Sequence, residues 1–182
     1  MDKQHTQISK FLSFILRHQP EAIGLSLEPE GWAEIDTLIS HAAQSGTTLT
    51  RALIEIVVKN NDKKRFAISE DGKYIRAVQG HSTVSVAINY LEKQPPEFLY
   101  HGTATRFLDS IMAQGLLPGS RHHVHLSEEI ITATAVGKRY GKPVILTIKA
   151  LQMYEEGYKF YQADNDVWLI EKVPVYFFKE NE

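Results

Sequence analysis

An arginine and a histidine stand side by side near the start of the chain, at Arg17 and His18, two residues before Pro20. The apolar residues before them recur at the three-and-four spacing of a buried helical face, and a proline disfavours helix at the residue preceding it. We therefore expect both side chains in the last turn of a helix, where the helix dipole favours cations. Such a pair predicts either a phosphate-binding corner or an ordinary C-terminal cap.

A second group of reactive residue types is the run Arg121-His122-His123-Val124-His125. In an extended strand His123 and His125 share one face, while His122 points away. Two histidines on one face can share a metal ion, but the chain has no cysteine and no third ligand at a regular spacing. We therefore expect no metal here.

Composition restricts the function further. The 182 residues include 43% hydrophobic residues and no cysteine, which allows a buried core and excludes disulfides and a cysteine nucleophile. The first residues carry no apolar signal region, and no apolar run approaches the roughly 20 residues that cross a bilayer. We expect a cytoplasmic monomer that does not bind membranes.

Charge is nearly balanced along the chain. Residues 1–80 hold ten Lys and Arg against ten Asp and Glu, and residues 81–182 hold ten against twelve. Neither half has the basic excess of a protein that follows a long nucleic-acid backbone. The one local basic patch is Lys63-Lys64-Arg65, which alone is typical of a solvated turn. Any nucleic acid that binds should therefore be held at only a few phosphates.

The first part of the chain predicts three helices followed by a β-hairpin. The second helix is expected over 35–43, and Thr50 is expected to cap a third helix over 51–59. Residues 65–69 and 74–78 predict the two hairpin strands. This order is typical of a winged helix, and 81–93 predicts a connecting segment with some helix.

The pair Pro95-Pro96 predicts a linker between two lobes, because consecutive prolines stiffen an extended chain. Beyond it we expect a helix over 106–114 and another that Ser127 caps. Strands are predicted at 98–101, 123–126, 144–149, 159–162, 167–170 and 175–178. The predicted fold class is α+β. The chain lacks a Gly-x-Gly-x-x-Gly loop, so the sequence does not predict a Rossmann fold that holds a dinucleotide as a hydride carrier.

Several blocks carry a family resemblance. They are Lys10 to Leu38, Asp62-Lys-Lys-Arg-Phe66, Ile75-Arg-Ala-Val-Gln-Gly-His-Ser82, Tyr100-His-Gly-Thr103 and Gly115 to Ser127. In this order they resemble the RNA 2'-phosphotransferases, NAD-dependent enzymes of tRNA splicing. The resemblance covers nearly the whole chain. It implies a winged-helix lobe at 1–93 that binds the RNA phosphate, and an ADP-ribosyltransferase-like mixed α/β lobe at 94–182 that binds NAD.

The resemblance also implies the site residues. It assigns the RNA phosphate to Arg17, Arg65 and Arg121, and gives His18 a role in orienting that phosphate or in acid–base catalysis. It assigns NAD to His101, Gly102 and Thr103, with His123 and His125 as candidates along the same cleft. Arg139 is either a contact to the NAD phosphates or a surface arginine.

The implied reaction moves an internal RNA 2'-phosphate onto NAD. The products are RNA with a free 2'-hydroxyl, nicotinamide and ADP-ribose 1'',2''-cyclic phosphate. ADP-ribosyltransferases that modify proteins usually have a catalytic glutamate, but none is evident near Val167 in this chain. Asp164 and Asp166 are acidic residues of the types that favour turns, which explains their presence without a catalytic role. A phosphate dianion is itself nucleophilic and needs no such base.

Two other functions remain open. In one, transfer stops at ADP-ribosylation of a terminal phosphate on nucleic acid, or of a protein. In the other, the protein is a winged-helix regulator that binds nucleic acid without chemistry. Product analysis separates the first from the 2'-phosphotransferase, because only the latter forms a cyclic phosphate.

Overall fold

The computed structural model describes residues 3–179, which form two compact units divided between Asn89 and Tyr90. The prolines at 95 and 96 predict a division at 93/94. The backbone N–H of Lys93 donates to the Phe160 carbonyl at 2.9 Å, and Glu92 forms a β-bridge with Tyr161. Residues 90–93 therefore pack with the second unit. Each unit combines helices with small antiparallel sheets, which confirms the α+β class.

The first unit contains three helices and one small sheet. The helices are α1 (Lys3–Arg17), α2 (Ile35–Gln44) and α3 (Arg51–Lys59), and the strands are β1 (Ala33–Glu34), β2 (Phe66–Ile68) and β3 (Tyr74–Ala77). The strands pair antiparallel in the order β1-β3-β2. A short 3-10 helix, Pro20–Ile23, follows α1, because Pro20 cannot continue the α-helical hydrogen bonds.

The core of the first unit lies between the apolar faces of its helices and the sheet. Leu12 and Leu16 of α1 and Ile54 of α3 are fully buried there. The Thr50 side chain accepts a hydrogen bond from the Leu53 N–H at 3.2 Å, which confirms the predicted cap of α3. The predicted hairpin is also confirmed, with Phe66 opposite Ala77.

The second unit is built on a long two-stranded ribbon and a three-stranded sheet. Its strands are β4 (Phe98–Ala104), β5 (Val124–Leu126), β6 (Pro143–Lys149), β7 (Tyr161–Gln162) and β8 (Trp168–Ile170). Its helices are α4 (Leu108–Gln114), α5 (Ile130–Gly137) and α6 (Ala150–Glu155). β4 pairs antiparallel with β6, and β5-β8-β7 form the other sheet. Trp168 and Phe160 are the largest fully buried side chains.

Two predictions for this unit are wrong in detail, and one helix was missed. Residues 175–177 form a 3-10 helix rather than a strand, because Val173 pairs with Leu116 and Phe178 with Ile148, so the chain must turn between the two bridges. Ser127 does not cap α5. Its N–H and C=O both pair with Tyr100, and Glu129 is the N-cap residue. The helix α6 was not predicted.

The connecting segment also differs from expectation. Residues 81–93 contain no helix. Their N–H groups bond to other parts of the chain instead, for example Ala87 to the Pro29 carbonyl at 2.7 Å. The first part of this segment therefore packs against a loop of the first unit and does not form a helix.

Candidate active site

Arg17 and His18, at the end of α1, differ in position and in burial. Arg17 is the last helical residue and is only 9% exposed, whereas His18 lies just beyond the helix and is half-buried. The N–H groups of His18 and Gln19 both donate to the Phe14 carbonyl at 3.0 Å, which closes the helix. The prediction of both in the last turn thus holds for Arg17 and is off by one residue for His18. Because a buried guanidinium meets an anion in a low dielectric, the contact is stronger than at the surface.

One short segment, 78–82, connects the backbones of two candidate phosphate ligands. The Val78 N–H donates to the Arg65 carbonyl at 3.0 Å, and the Ser82 N–H donates to the Arg17 carbonyl at 2.9 Å. Four residues of chain span at most about 14 Å. The structure therefore brings Arg17 and Arg65, which are distant in sequence, to the two ends of one loop of the first unit.

The same segment contacts the side chain of His18. The Ser82 Oγ lies 2.9 Å from His18 Nδ1, within hydrogen-bond distance. This contact fixes the plane of the imidazole ring and engages one of its two nitrogens. Arg17, His18 and Arg65 are thus all linked to residues 78–82.

In the second unit, three of the predicted residues converge on His125. The ring Nδ1 of His101, in the middle of β4, donates to the His125 carbonyl at 3.0 Å. The guanidinium of Arg121 donates from Nη1 to His125 Nδ1 at 3.1 Å. Because Nδ1 of His125 accepts, the neutral His125 ring carries its proton on Nε2. His101 and Arg121 are therefore joined through a single residue.

Burial keeps His101 uncharged. Desolvation lowers the pKa of His101 below the usual histidine value, and its hydrogen bond to the His125 carbonyl offsets part of that effect. Since the proton of the neutral ring is on Nδ1, Nε2 is a hydrogen-bond acceptor. A neutral histidine in this tautomer can accept a hydrogen bond at Nε2 from a hydroxyl group of a ligand.

His123 lies in an aromatic cluster. Its ring makes edge contacts with Tyr90 and Tyr161, each with centroids 6.0 Å apart. Desolvation lowers the pKa of His123, with a smaller contribution of the same sign from His122 and an opposing one from Glu171. His125 lies on the face of β5 opposite the buried Val124 and Leu126, as the alternation predicts, and His123 immediately precedes the strand.

The glycine of the His-Gly-Thr motif makes a close contact inside the protein. A Cβ built on Gly102 would lie 1.7 Å from the Ala133 carbonyl oxygen of α5. One on Gly137 would lie 2.5 Å from the Thr103 oxygen. The two glycines therefore let the backbones of β4 and α5 touch, and this packing accounts for Gly102 independently of a ligand. Thr103 is buried at 5% exposure.

The remaining candidates lie at the surface. Arg139 is exposed in the turn after α5, and its backbone N–H donates to the Val136 carbonyl at 3.2 Å. Asp166 occupies a left-handed turn with φ of 64°, as expected of turn chemistry. Within residues 3–179 there is no group of three or more His, Cys, Asp or Glu that could hold a metal ion.

Comparison with known proteins decides the family. The sequence profile described as "RNA 2'-phosphotransferase, Tpt1 / KptA family" matches residues 3–172. The chain belongs to this family. It is 63% identical over 171 residues to a "Probable RNA 2'-phosphotransferase" of Pseudomonas fluorescens, with 94% of each chain covered. A protein of Escherichia coli with the same description is 60% identical over 176 residues, covering 97% of this chain and 91% of its own.

The match confirms the resemblance seen in the sequence, and the family name implies an RNA substrate and a phosphotransferase activity. No helix among residues 3–179 has the length and apolar character needed to cross a membrane.

Sequence reasoning missed two polar residues in the block 75–82. Ser82 contacts His18, although the two are 64 positions apart. Gln79 is only 9% exposed, and its side-chain oxygen has no hydrogen-bond partner among residues 3–179. The only signal for either residue was that the block resembles the family, because a hydroxyl or amide in a loop has no periodicity.

Proposed function

We propose that this family member is an NAD-dependent RNA 2'-phosphotransferase. An oxygen of an internal RNA 2'-phosphate attacks the ribose carbon of NAD that bears nicotinamide. The bond to nicotinamide breaks, and nicotinamide leaves with the bonding electrons. The ribose 2''-hydroxyl then attacks the phosphorus, and the bond from phosphorus to the RNA 2'-oxygen breaks. The proton lost by the 2''-hydroxyl is balanced by the proton gained by the RNA 2'-oxygen.

The observation that carries this proposal is the convergence of Arg121 and His101 on His125. A reaction between a phosphate and NAD needs a phosphate ligand and an NAD ligand a short distance apart. Arg121 bonds to the His125 ring and His101 to the His125 carbonyl, at 3.1 and 3.0 Å. The candidate ligands of the two substrates thus lie next to one another within the second unit.

Each residue has a role suited to its state. Arg17, Arg65 and Arg121 bind phosphate oxygens, because a guanidinium can donate to two oxygens at once and stabilise charge developing at phosphorus. The neutral His101 accepts a hydrogen bond at Nε2 from a ribose hydroxyl of NAD. His18 orients the phosphate or carries the proton of the second step. His123, His125 and Arg139 are further candidates for the NAD side.

The proposal extends to the two units. Three helices followed by an antiparallel hairpin support a winged-helix lobe for the first unit. The order of strands and helices from β4 to β8 supports an ADP-ribosyltransferase-like lobe for the second. Under this proposal NAD is a substrate that is consumed, and no metal takes part.

The test uses an oligoribonucleotide with one internal 2'-phosphate, incubated with NAD and without added metal. We expect nicotinamide, RNA with a free 2'-hydroxyl and ADP-ribose cyclic phosphate in equal amounts, separated by chromatography and identified by mass. The same RNA without the 2'-phosphate, and the reaction without NAD, are the controls. Unchanged RNA at saturating NAD would reject the proposal.

One other outcome favours a different function. RNA that accumulates with ADP-ribose attached to its phosphate shows that only the first step occurs. The protein would then be an ADP-ribosyltransferase of nucleic-acid phosphates. Binding of RNA with no product at all would favour a regulator without chemistry.

A further inference from the structure

We propose that Ser82 is a positioning residue for His18. The inference rests on the proposed function only in that it assigns His18 to the reaction. Its basis is the 2.9 Å contact between Ser82 Oγ and His18 Nδ1, which joins the segment 78–82 directly to a predicted site side chain.

The backbone of Ser82 is itself held in place. Its N–H donates to the Arg17 carbonyl at 2.9 Å, and the Thr83 hydroxyl reaches the same carbonyl at 3.5 Å. Arg17 is the last residue of α1, where carbonyls lack helical partners. The bond from Ser82 therefore both satisfies the helix end and fixes the position of the serine hydroxyl against the next residue, His18.

A hydroxyl at this point suits a histidine that gains and loses a proton. Ser82 Oγ accepts from Nδ1–H when His18 is charged or when the neutral ring carries its proton on Nδ1, and it donates to Nδ1 when the proton is on Nε2. Nδ1 can therefore stay bonded to Ser82 in every protonation state. This bond keeps the ring plane constant through a proton transfer.

Substitutions at Ser82 can test its contact with His18, because the serine side chain is small. Ser82→Ala removes the hydroxyl and leaves the backbone bond to Arg17 intact. Ser82→Thr keeps the hydroxyl and adds one methyl group to a side chain that is only half-buried. Ser69→Ala is the matched control, because the Ser69 hydroxyl is also hydrogen-bonded in the first unit, to Asp71 at 2.6 Å and from the Tyr74 N–H at 2.9 Å.

We expect Ser82→Ala to lower kcat about three- to tenfold, the value of one hydrogen bond, with the KM for NAD unchanged. Ser82→Thr should restore most of the rate, and Ser69→Ala should not affect it. In a His18→Ala background, Ser82→Ala should cause no further loss. An equal loss in that background would show that Ser82 acts through the loop and not through His18, and would overturn the proposal.

A spectroscopic measurement tests the same contact without any activity. Long-range ¹H–¹⁵N NMR of the histidine rings reports which nitrogen carries the proton, and the His18 signals are assigned by their loss in His18→Ala. Ser82→Ala should change the ratio of the two neutral His18 tautomers, and Ser82→Thr should preserve it. Unchanged His18 signals in Ser82→Ala would overturn the proposal. A fully active His18→Ala variant would instead reject the function assigned to His18, so the two failures are distinguishable.

Discussion

Arg17 and Arg121 carry the same charge in different surroundings, since Arg17 is buried at 9% exposure and Arg121 is exposed. Replacing Arg17, Arg65 or Arg121 by alanine should remove charge-assisted phosphate contacts. We expect each to cost about 2–5 kcal/mol of transition-state stabilisation, or roughly 30- to several-thousand-fold in rate, with Arg17→Ala the most severe. Single-turnover rates with 2'-phosphorylated RNA measure this.

The matched control is Arg51→Ala. Arg51 is exposed, pairs with Asp36 and Glu55, and donates to the Gly72 carbonyl at 2.7 Å. This variant should retain the wild-type rate, and lysine at the three site positions should rescue only in part because it lacks the planar fork. Folded alanine variants at all three positions with near wild-type rates would show that these arginines do not bind the phosphate.

His101 should differ from an ordinary histidine in two measurements. His101→Ala should raise the KM for NAD roughly tenfold, because a hydrogen bond to a ribose hydroxyl is lost. His41→Ala is the control, since the His41 Nδ1 also bonds to a carbonyl, that of Ile23 at 3.0 Å, but lies in the first unit. An unchanged KM in His101→Ala would remove His101 from the NAD site.

The second measurement is the pH dependence of stability. Because burial lowers the pKa of His101 in the folded chain, the unfolded chain binds the proton first as the pH falls below about 6.5. The free energy of unfolding should therefore decrease on acidification in that range. A His101→Gln variant should show a shallower decrease in denaturant titrations at successive pH values. An identical slope would contradict the burial of a neutral ring.

Candidate site residues could be identified from the sequence, but most of their hydrogen-bond partners could not. The place of Arg17 at the end of α1 and that of His125 on the face of β5 opposite Val124 follow from local spacing. The bond between His18 and Ser82 and the one between His101 and the His125 carbonyl join residues 64 and 24 positions apart. Such contacts depend on how distant elements pack, which no local pattern encodes.

At the scale of elements, the close contact between β4 and α5 predicts that an alanine at the interface is strongly destabilising. Gly102→Ala should destabilise the second unit by more than about 3 kcal/mol, because its Cβ would overlap the backbone of Ala133 and backbone cannot rotate away. Gly137→Ala should have a similar effect. Chemical denaturation, with NAD absent, measures the loss.

The control is Gly119→Ala, which separates a clash from backbone strain. Gly119 has a φ of 63°, and nothing lies within 4 Å of the position that an alanine methyl group would take there. Alanine at this position should cost only about 1–2 kcal/mol from the left-handed conformation. Equal destabilisation by Gly102→Ala and Gly119→Ala would show that β4 and α5 can separate.

Helices with a clear apolar period and the β2–β3 hairpin were predictable, whereas features set by pairing with distant segments were not. α3 and its Thr50 cap follow from local sequence, since propensity and capping act within a few residues. Ser127 has the type of a capping residue, but pairing with Tyr100 holds its backbone in an extended path. The residues at 175–178 suggested a strand by their type, whereas two bridges to different segments impose a turn.

For the molecule as a whole, the charge balance predicts weak dependence on salt. Binding of RNA should release few counterions, so the slope of log affinity against log salt should correspond to about two to four phosphate contacts. Affinities of matched oligonucleotides with and without the 2'-phosphate, measured over a salt series, test this. A steep slope that ignores the 2'-phosphate would favour a regulator that binds RNA tracts.

The α+β class and the family could be predicted from the sequence because each rests on many residues at once. Several matching blocks spread along the chain support the family. The identity of the RNA is not encoded in this manner, since a pocket that reads one phosphate carries little information about the bases around it.

The attachment of segment 78–82 to Arg65 and Arg17 has an evolutionary consequence. Both attachments are made by main-chain N–H groups, which every residue except proline supplies. As far as the two arginines are concerned, lineages are therefore free to exchange one apolar side chain for another at Val78, and only proline should be absent there. At Ser82 proline should be absent for the same reason, and because the hydroxyl contacts His18 we expect descendants to keep serine or threonine there.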